Sequence, residues 1–451
     1  MLIEIGENKK SFENPTSLNE ILRLMLNESS SEILGCALNG KVVELGDVIS
    51  CDAKLRPISF NDEEGRRIYE RSLRFVFLIA VKRCFPNAHV RIEHSIGEGM
   101  YIIIKNHRLY PTDVQTLEDT MHDIVNEDLP FTKHSWSKEE AIAYFEKIGD
   151  GEKARLLSYR PYHYFNIYEC GGLYEYFYGA MLPRTSYLKV FSLHTRTPGL
   201  IMLMPKKSNP SESASFVSSP KQMATFAQSN NWCRILECTD AADLNDRIRQ
   251  NKLPSFIRIN EALHDKSLAE IAEDIVNRGS RAIFIAGPSS SGKTTFANRL
   301  GIHLRANGLK PELISLDNFY ISRNKLPLEE DGMPDLEALD AIDVKLFKQC
   351  LRSLLQGNET LMPRFDFQTK SRAEVGYKMR ISSEQPLIIE GIHGLNPRLH
   401  EGFDFDKLYK IYISELTCIN LDDHNRIRTT DARLLRRIVR DNQFRNTPPS
   451  Q

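Results

Sequence analysis

No stretch of this chain is long and apolar enough to cross a bilayer. The most apolar run, FVFLIAV from Phe75 to Val81, sits between charged neighbours and falls far short of the ~20 residues a spanning helix needs. The first residues, MLIEIGENKK, lack the basic-then-apolar pattern of an export signal. Eight cysteines are scattered without one Cys-x-x-Cys pair, which argues against a zinc ribbon and against a secreted disulfide framework. Neither sign of charge is in excess: 59 Lys+Arg face 60 Asp+Glu, so no global basic field advertises nucleic acid, although a local patch stays open. These absences together read as a reduced, cytoplasmic protein with no membrane partner, and nucleic acid is not the expected partner.

What is present is the substance of several globular cores. At ~150 residues per domain, 451 residues suggest about three. Residues 1–60 read as a small α/β unit. MLIEIG is strand-like, Thr16 and Ser17 stand where a cap would open a helix through LNEILRLML, Asn39-Gly40 separates two apolar runs as hairpin turns do, and LRPISF reads as a closing strand. Residues 61–262 open with a long helix that Pro86 ends, followed by two strands, a further helix near SKEEAIAYFEKIG and a β-rich stretch from about 162 to 204. KKSNPSESASFVSSP (206–220) is a polar loop or a linker, and helical segments follow it. Residues 263–451 alternate strands (RAIFIAG, PELISL, PLIIEG, KLYKIYIS) with helices, the pattern of a parallel sheet covered on both faces.

GPSSSGKTT (287–295) carries the chemistry. Gly287, Pro288, Ser289, Ser290, Ser291, Gly292, Lys293 and Thr294 fit G-x-x-x-x-G-K-[ST] in full, and Thr295 follows at the start of a helix. The glycines let backbone N–H groups turn inward on phosphate oxygens, and the helix N-terminus adds positive potential. Lys293 is placed to reach the β- and γ-phosphates, and the Thr294 hydroxyl to hold Mg²⁺. In such sheets ligands lie beyond the carboxyl ends of the strands. PELISL stops at Asp317 and PLIIE at Glu390, so both carboxylates are expected in the crevice with Lys293, one serving the metal and the other accepting a proton. Asp317 as a turn cap and Glu390 as a structural ion pair are the competing readings. Arg433, Arg437 and Arg440 share a helix face, which suits either charge neutralisation on a transferring phosphoryl group or an ordinary solvated surface.

The order GPSSSGKTT, SLDNFY (315–320), LPLEEDG (326–332), DAID (340–343), MPRFDFQTKSR (362–372), IIEGIHGL (388–395) and DARLLRRIVRD (431–441) resembles the phosphoribulokinase/uridine kinase family of P-loop kinases over roughly 281–445. The resemblance implies transfer of the ATP γ-phosphate to a hydroxyl, with Asp317 as base. Thr294 and Glu390 would serve Mg²⁺ beside Asp317. Tyr320, Glu337, Phe365, Lys370, Arg372 and Arg437 would surround the acceptor, and Arg440 and Arg445 would close over the phosphates to exclude water. Where uridine kinases carry a Tyr and a His that read the pyrimidine, this sequence has Phe365 and Lys370. Glu337 stands in place of a ribose-binding Asp, and Arg445-Asn446-Thr447 in place of Arg-Gly-Arg. A nucleoside (uridine- or cytidine-like) is therefore the expected acceptor, with another polyol or a sugar phosphate as the alternative, and a non-catalytic ATP-binding regulator with an RNA-related first half as a third reading. The family usually continues past the position of Gln451, so a C-terminally truncated domain is expected. Its members often self-associate, which makes a homo-oligomer an open expectation.

GCALNGKVVELGDVISCDAKL (35–55) resembles the ubiquitin-like TGS domain of threonyl-tRNA synthetases. YERSLRFVFLIAVKRCFPNAHV (69–90) and YECGGLYEYF (168–177) resemble that enzyme's editing-type α+β domain. The family's zinc-binding His-x-x-x-His and Cys-x-x-x-His fall on Arg71, Phe75, Cys170 and Tyr174. A guanidinium and a phenyl ring do not ligate zinc. No zinc and no editing hydrolysis are expected, and Cys170 is expected to be a small core residue.

Overall fold

The central strands of the C-terminal sheet, AIFIA and LIIE, are apolar almost throughout, and the fold buries both of their faces. The computed structural model describes all residues except 27–31, 323–325, 327–334, 336, 367–368, 370, 415–418, 445–447 and 450–451. Its four strands lie in the order Glu312–Ser315, Leu387–Glu390, Ala282–Ala286, Leu408–Tyr412, and every pairing is parallel. Ala282, Phe284, Leu387 and Ile389 face one core with Phe347, Leu351 and Leu354 of the helix Val344–Leu355. Ile283, Ile285 and Ile388 face the other, where the helices Leu253–Arg278 and Lys293–Ala306 contribute Leu268, Ile275, Leu300 and Leu304. This is the two-sided burial expected of near-continuous apolar strands.

The chain divides into two compact units. One comprises Met1–Asn251 together with Cys418–Ile427, the other Lys252–Thr417 together with Arg428–Gln451. The two units divide at Asn251/Lys252, and the helix Leu253–Arg278 runs unbroken through 262/263. Its start is set by Pro254 in the first turn and its end by Gly279 in the left-handed conformation. The return of 418–427 to the first unit, with a small hairpin of Asn420–Asp422 and Asn425–Arg426, was not foreseen.

Within the first unit, residues 1–60 form a five-stranded mixed sheet with its own core. Ile3, Ile5, Cys36 and Leu55 pack on Leu18, Ile21 and Leu22 of the helix Leu18–Leu26. The Asn39-Gly40 turn has φ of 50° and 85°, the paired positive values of a type I′ hairpin. The helix Glu63–Cys84 follows. Glu63 and Glu64 in its first turn and Lys82 and Arg83 in its last complement its dipole. Its middle, from Ser72 to Val81, is buried on all sides, consistent with its almost wholly apolar run. It packs against an antiparallel sheet ordered Ser192–Arg196, Gly199–Leu203, Gly99–Lys105, His89–Ile96. A three-stranded sheet of Thr132–Ser137, Tyr164–Cys170 and Leu173–Glu175 completes the α+β layout. No helix among the described residues is long and apolar enough to cross a membrane.

Candidate active site

The loop between the strand Ala282–Ala286 and the helix Lys293–Ala306 is built for close approach. A Cβ on Gly287 would lie 2.2 Å from the Ile413 carbonyl oxygen, so only glycine fits. Gly292 has φ 89° and Ser290 φ 64°, which turns the loop back over the helix N-terminus. The Ser290 and Ser291 hydroxyls are buried and have no partner among the described residues, leaving donors beside the loop for an anion. The Lys293 ammonium donates to the Pro288 carbonyl at 3.0 Å. Burial draws its pKa below the usual lysine range, against the pull of Glu390 and Asp317.

Parallel register brings the carboxylates in. Glu390 ends its strand level with Ser315 on one neighbour and Ile285 on the other. It is 6% exposed, and burial raises its pKa, while hydrogen bonds from Ser315 and Thr294 and the charge of Lys293 oppose the shift. Asp317 follows Ser315 by two residues in the 3-10 turn Leu316–Phe319, with its backbone N–H donated to the Ser315 hydroxyl at 3.3 Å. A cavity of about 990 Å³ is lined by Lys293, Thr294, Asp317 and Glu390, as well as by Ser289, Ser290, Gly292 and Thr295. Tyr320, Glu337 and Phe365 line it too, the two rings meeting edge-to-face at 5.7 Å between centroids. The carboxylate of residue 317 and the ammonium of residue 293 thus share one crevice.

The arginines divide differently from the expectation. The helix Thr429–Phe444 presents Arg436 and Arg440 to this cavity, and the Arg436 Nε donates to the Ser290 carbonyl at 3.4 Å. Arg437 instead lines a smaller cavity of about 530 Å³ with Arg433, Gly287, Pro288 and His393, and pairs with Asp441 at 3.5 Å. The two cavities share Ser289, Glu337 and Ile392. Arg437 therefore sits beside the phosphate loop's outer edge, sharing a cavity with Glu337 but not with Tyr320 and Phe365, because residues 436 and 437 point ~100° apart on one helix. Arg372 is not a lining residue. Its guanidinium reaches Asp343 and the Phe319 and Tyr320 carbonyls, each at 3.4 Å, and so braces the acceptor wall from behind. Ser291 lies under the loop rather than on the cavity wall. Lys370, Arg445 and most of LPLEEDG fall outside the described residues. Arg436 lies off the helix face that Arg433, Arg437 and Arg440 share in the sequence. Leu435 and Val439, also on the cavity wall, carried no sequence signal beyond helical spacing.

In the first unit the four positions aligned with zinc ligands do other work. Arg71 donates to the Ala180 carbonyl at 3.0 Å, and Phe75 is fully buried against Phe131 and Phe177. Cys170 is in the core, its thiol pushed up to about 12 by burial, and Tyr174 packs on Trp136 and Tyr144.

Comparison with known proteins separates the two parts. Residues 282–446 match the phosphoribulokinase/uridine kinase family. The N-terminal part is similar to threonine–tRNA ligases: 32% identical over 183 residues to that of Carboxydothermus hydrogenoformans, and 29% over 188 residues to that of Clostridioides difficile. The first alignment covers 40% of this chain and the second 41%, and each covers only 29% of the ligase, so the chain spans under a third of these relatives. Among solved structures, a "possible uridine kinase" from Bacillus stearothermophilus is 20% identical, with a TM-score of 0.27, over 38% of this chain and 91% of that one. The chain thus joins a phosphoribulokinase/uridine kinase family domain to a threonine–tRNA ligase-like N-terminal part.

Proposed function

We propose that this chain, whose C-terminal part is a phosphoribulokinase/uridine kinase family domain, transfers the ATP γ-phosphoryl group to a hydroxyl of a nucleoside-like acceptor. The observation that carries the reading is the single cavity in which Lys293, Thr294, Asp317 and Glu390 meet an aromatic pair, Tyr320 and Phe365. A hydrolytic switch needs only to orient a water. A second carboxylate beside a stacking surface suits an alcohol attached to a flat ring.

The residues fit a metal-bound triphosphate: the orphaned Ser290 hydroxyl and the space kept by Gly287 form an anion cradle. Lys293, the loop N–H groups, Arg436 and Arg440 would bind the phosphates. Thr294 and Glu390, with Asp317 beside them, would hold Mg²⁺, which supplies charge neutralisation across the transferring group. Asp317 accepts the proton as the acceptor oxygen bonds to the γ-phosphorus, and the bond to the ADP oxygen breaks as ADP departs. Arg436 and Arg440, on one helix face over the loop, would shield the step from water.

A second reading, a polyol or sugar-phosphate acceptor, is favoured by Phe365, whose ring offers no hydrogen bond to a base edge. A screen of acceptor-dependent ADP release over nucleosides, sugars and polyols decides between them. Turnover restricted to acceptors without a ring to stack overturns the nucleoside reading, and ATP binding without acceptor-stimulated turnover overturns the kinase reading.

A further inference from the structure

The strand Glu312–Ser315 runs straight into the 3-10 turn Leu316–Phe319 that carries Asp317, and its last residue lies level with Glu390 in the parallel pairing. The two strand ends press on one another. A Cβ on Gly391 would lie 2.7 Å from the Leu316 Cβ, and Leu316 is fully buried. The backbone just after Glu390 therefore rests on the side chain just after Ser315, and only glycine allows it.

Ser315 is the polar side chain at this contact. Its hydroxyl donates to the Glu390 carboxylate and accepts the backbone N–H of Asp317 at 3.3 Å. Elementary chemistry fixes these directions: a hydroxyl has one proton, an ionised carboxylate only accepts, and an amide N–H only donates. One oxygen atom thus ties the carboxylate at one strand end to the turn bearing the other. The far end of that turn is held separately. The Asp343 N–H donates to the Phe319 carbonyl and the Ile321 N–H to the Ala341 carbonyl, each at 2.9 Å, and Arg372 reaches the Phe319 and Tyr320 carbonyls. At the near end, where Asp317 stands, the Ser315 hydroxyl takes the backbone N–H. A serine serving as a turn cap alone would need only its lone pair. Here the proton is engaged as well, on a side chain 6% exposed.

We propose that Ser315 is a positioning residue that sets both carboxylates of the site at once, keeping Glu390 beside Thr294 for Mg²⁺ and fixing the turn from which Asp317 meets the acceptor hydroxyl. Without the hydroxyl, Glu390 stays buried beside Asp317, whose negative charge opposes its own, and keeps one fewer donor to hold it in place. The Asp317 N–H loses its acceptor in the same step. Groups that stand one hydrogen bond behind a metal ligand are typically worth about 10–100-fold in metal affinity or activity.

The inference rests on the kinase reading for where Mg²⁺ and the acceptor lie, and the test keeps the two apart. In the full chain, Ser315→Ala removes the hydroxyl, and Ser315→Thr keeps it on a side chain suited to a strand end. ATP affinity is measured by calorimetry with Mg²⁺ and with EDTA, alongside kcat for acceptor-stimulated ADP release. In Ser315→Ala the MgATP affinity and kcat should each fall by about 10–100-fold, while metal-free ATP affinity, set by Lys293 and the loop, holds. Ser315→Thr should recover most of both. An alanine variant that keeps either MgATP affinity or kcat overturns the proposal. So does one that loses metal-free and MgATP affinity alike, or a threonine variant no better than the alanine one. If the unaltered chain phosphorylates no acceptor, the kinase reading fails by itself, and Ser315 is judged on the two ATP affinities alone. An unaltered chain that binds ATP no more tightly with Mg²⁺ than without it also overturns the proposal. Should Ser315→Ala not fold, Ser315→Cys, similar in shape but a weak donor, is read by the same outcomes.

Discussion

Asp317→Asn tests the chemistry most directly. The substitution keeps shape and keeps the turn, since the backbone N–H of residue 317 still donates to the Ser315 hydroxyl. It removes the proposed proton acceptor. General-base catalysis is worth about 10²–10⁴-fold, or roughly 3–5.5 kcal/mol of barrier at about 1.36 kcal/mol per tenfold. The upper half of that range applies, because the neighbouring carboxylate cannot substitute. Glu390 is 6% exposed and committed to Ser315 and Thr294. To serve as base it would have to leave the strand end that buries it. Acceptor-stimulated ADP release should therefore fall by roughly 10³-fold or more in kcat. The KM for ATP should hold, because the loop and Lys293 are untouched. The assay is steady-state ADP formation with saturating acceptor. A variant retaining even about a tenth of the wild-type kcat would refute the assignment of Asp317 as base.

Three further outcomes follow from other parts of the structure. Phe365→Ala should raise the KM for a nucleoside acceptor about tenfold, the scale of one base–aromatic stack, and leave a polyol unaffected; equal effects on both would remove the stacking role. Gly287→Ala should weaken ATP binding at least tenfold and lower the melting temperature, since its Cβ would meet the Ile413 carbonyl oxygen at 2.2 Å; unchanged nucleotide affinity by calorimetry would contradict the geometry. His94 is buried against Phe226 with neither ring nitrogen bonded among the described residues, and burial, then Arg426, lowers its pKa to about 3. The unfolded chain binds the proton first, so this residue's contribution is full above its ordinary value of 6.5 and is lost as pH falls, by about 2 kcal/mol at pH 5. Both tryptophans, Trp136 and Trp232, lie in the same unit, so urea unfolding followed by their fluorescence at pH 8 and pH 5 reads it. His94→Phe should flatten the difference, and an unchanged pH dependence would refute the assignment.

Much of the kinase site was legible because its determinants are local. Glycine at two loop positions, a lysine at the helix start and carboxylates at strand ends follow from backbone geometry within a few residues. The sheet's parallel register then does the rest, setting Glu390 beside Ser315. The arginine helix was legible as a helix but not in its rotation. Arg436 and Arg437 are adjacent, and which of them meets the phosphate loop is decided by packing that no local pattern encodes. The hairpin at 420–426 was illegible for a stronger reason. Its residues are those of a turn, and they are buried because His89, Arg91, Lys105, Lys153 and Glu175, hundreds of positions earlier, supply hydrogen-bond and ion-pair partners.

The same hairpin imposes an order on synthesis. Chains emerge from the ribosome amino end first, and domains ordinarily complete themselves as they appear. Here the first 251 residues come out with the Arg91 and Lys105 cations and the His89 ring lacking the Asp423 carboxylate they bond, and with Lys153 and Glu175 lacking the His424 imidazole that closes their group. The nascent first unit must wait, incomplete, while all four strands of the parallel sheet are translated. Neither half can be cut out by a simple break near residue 251 without stripping a piece from the other.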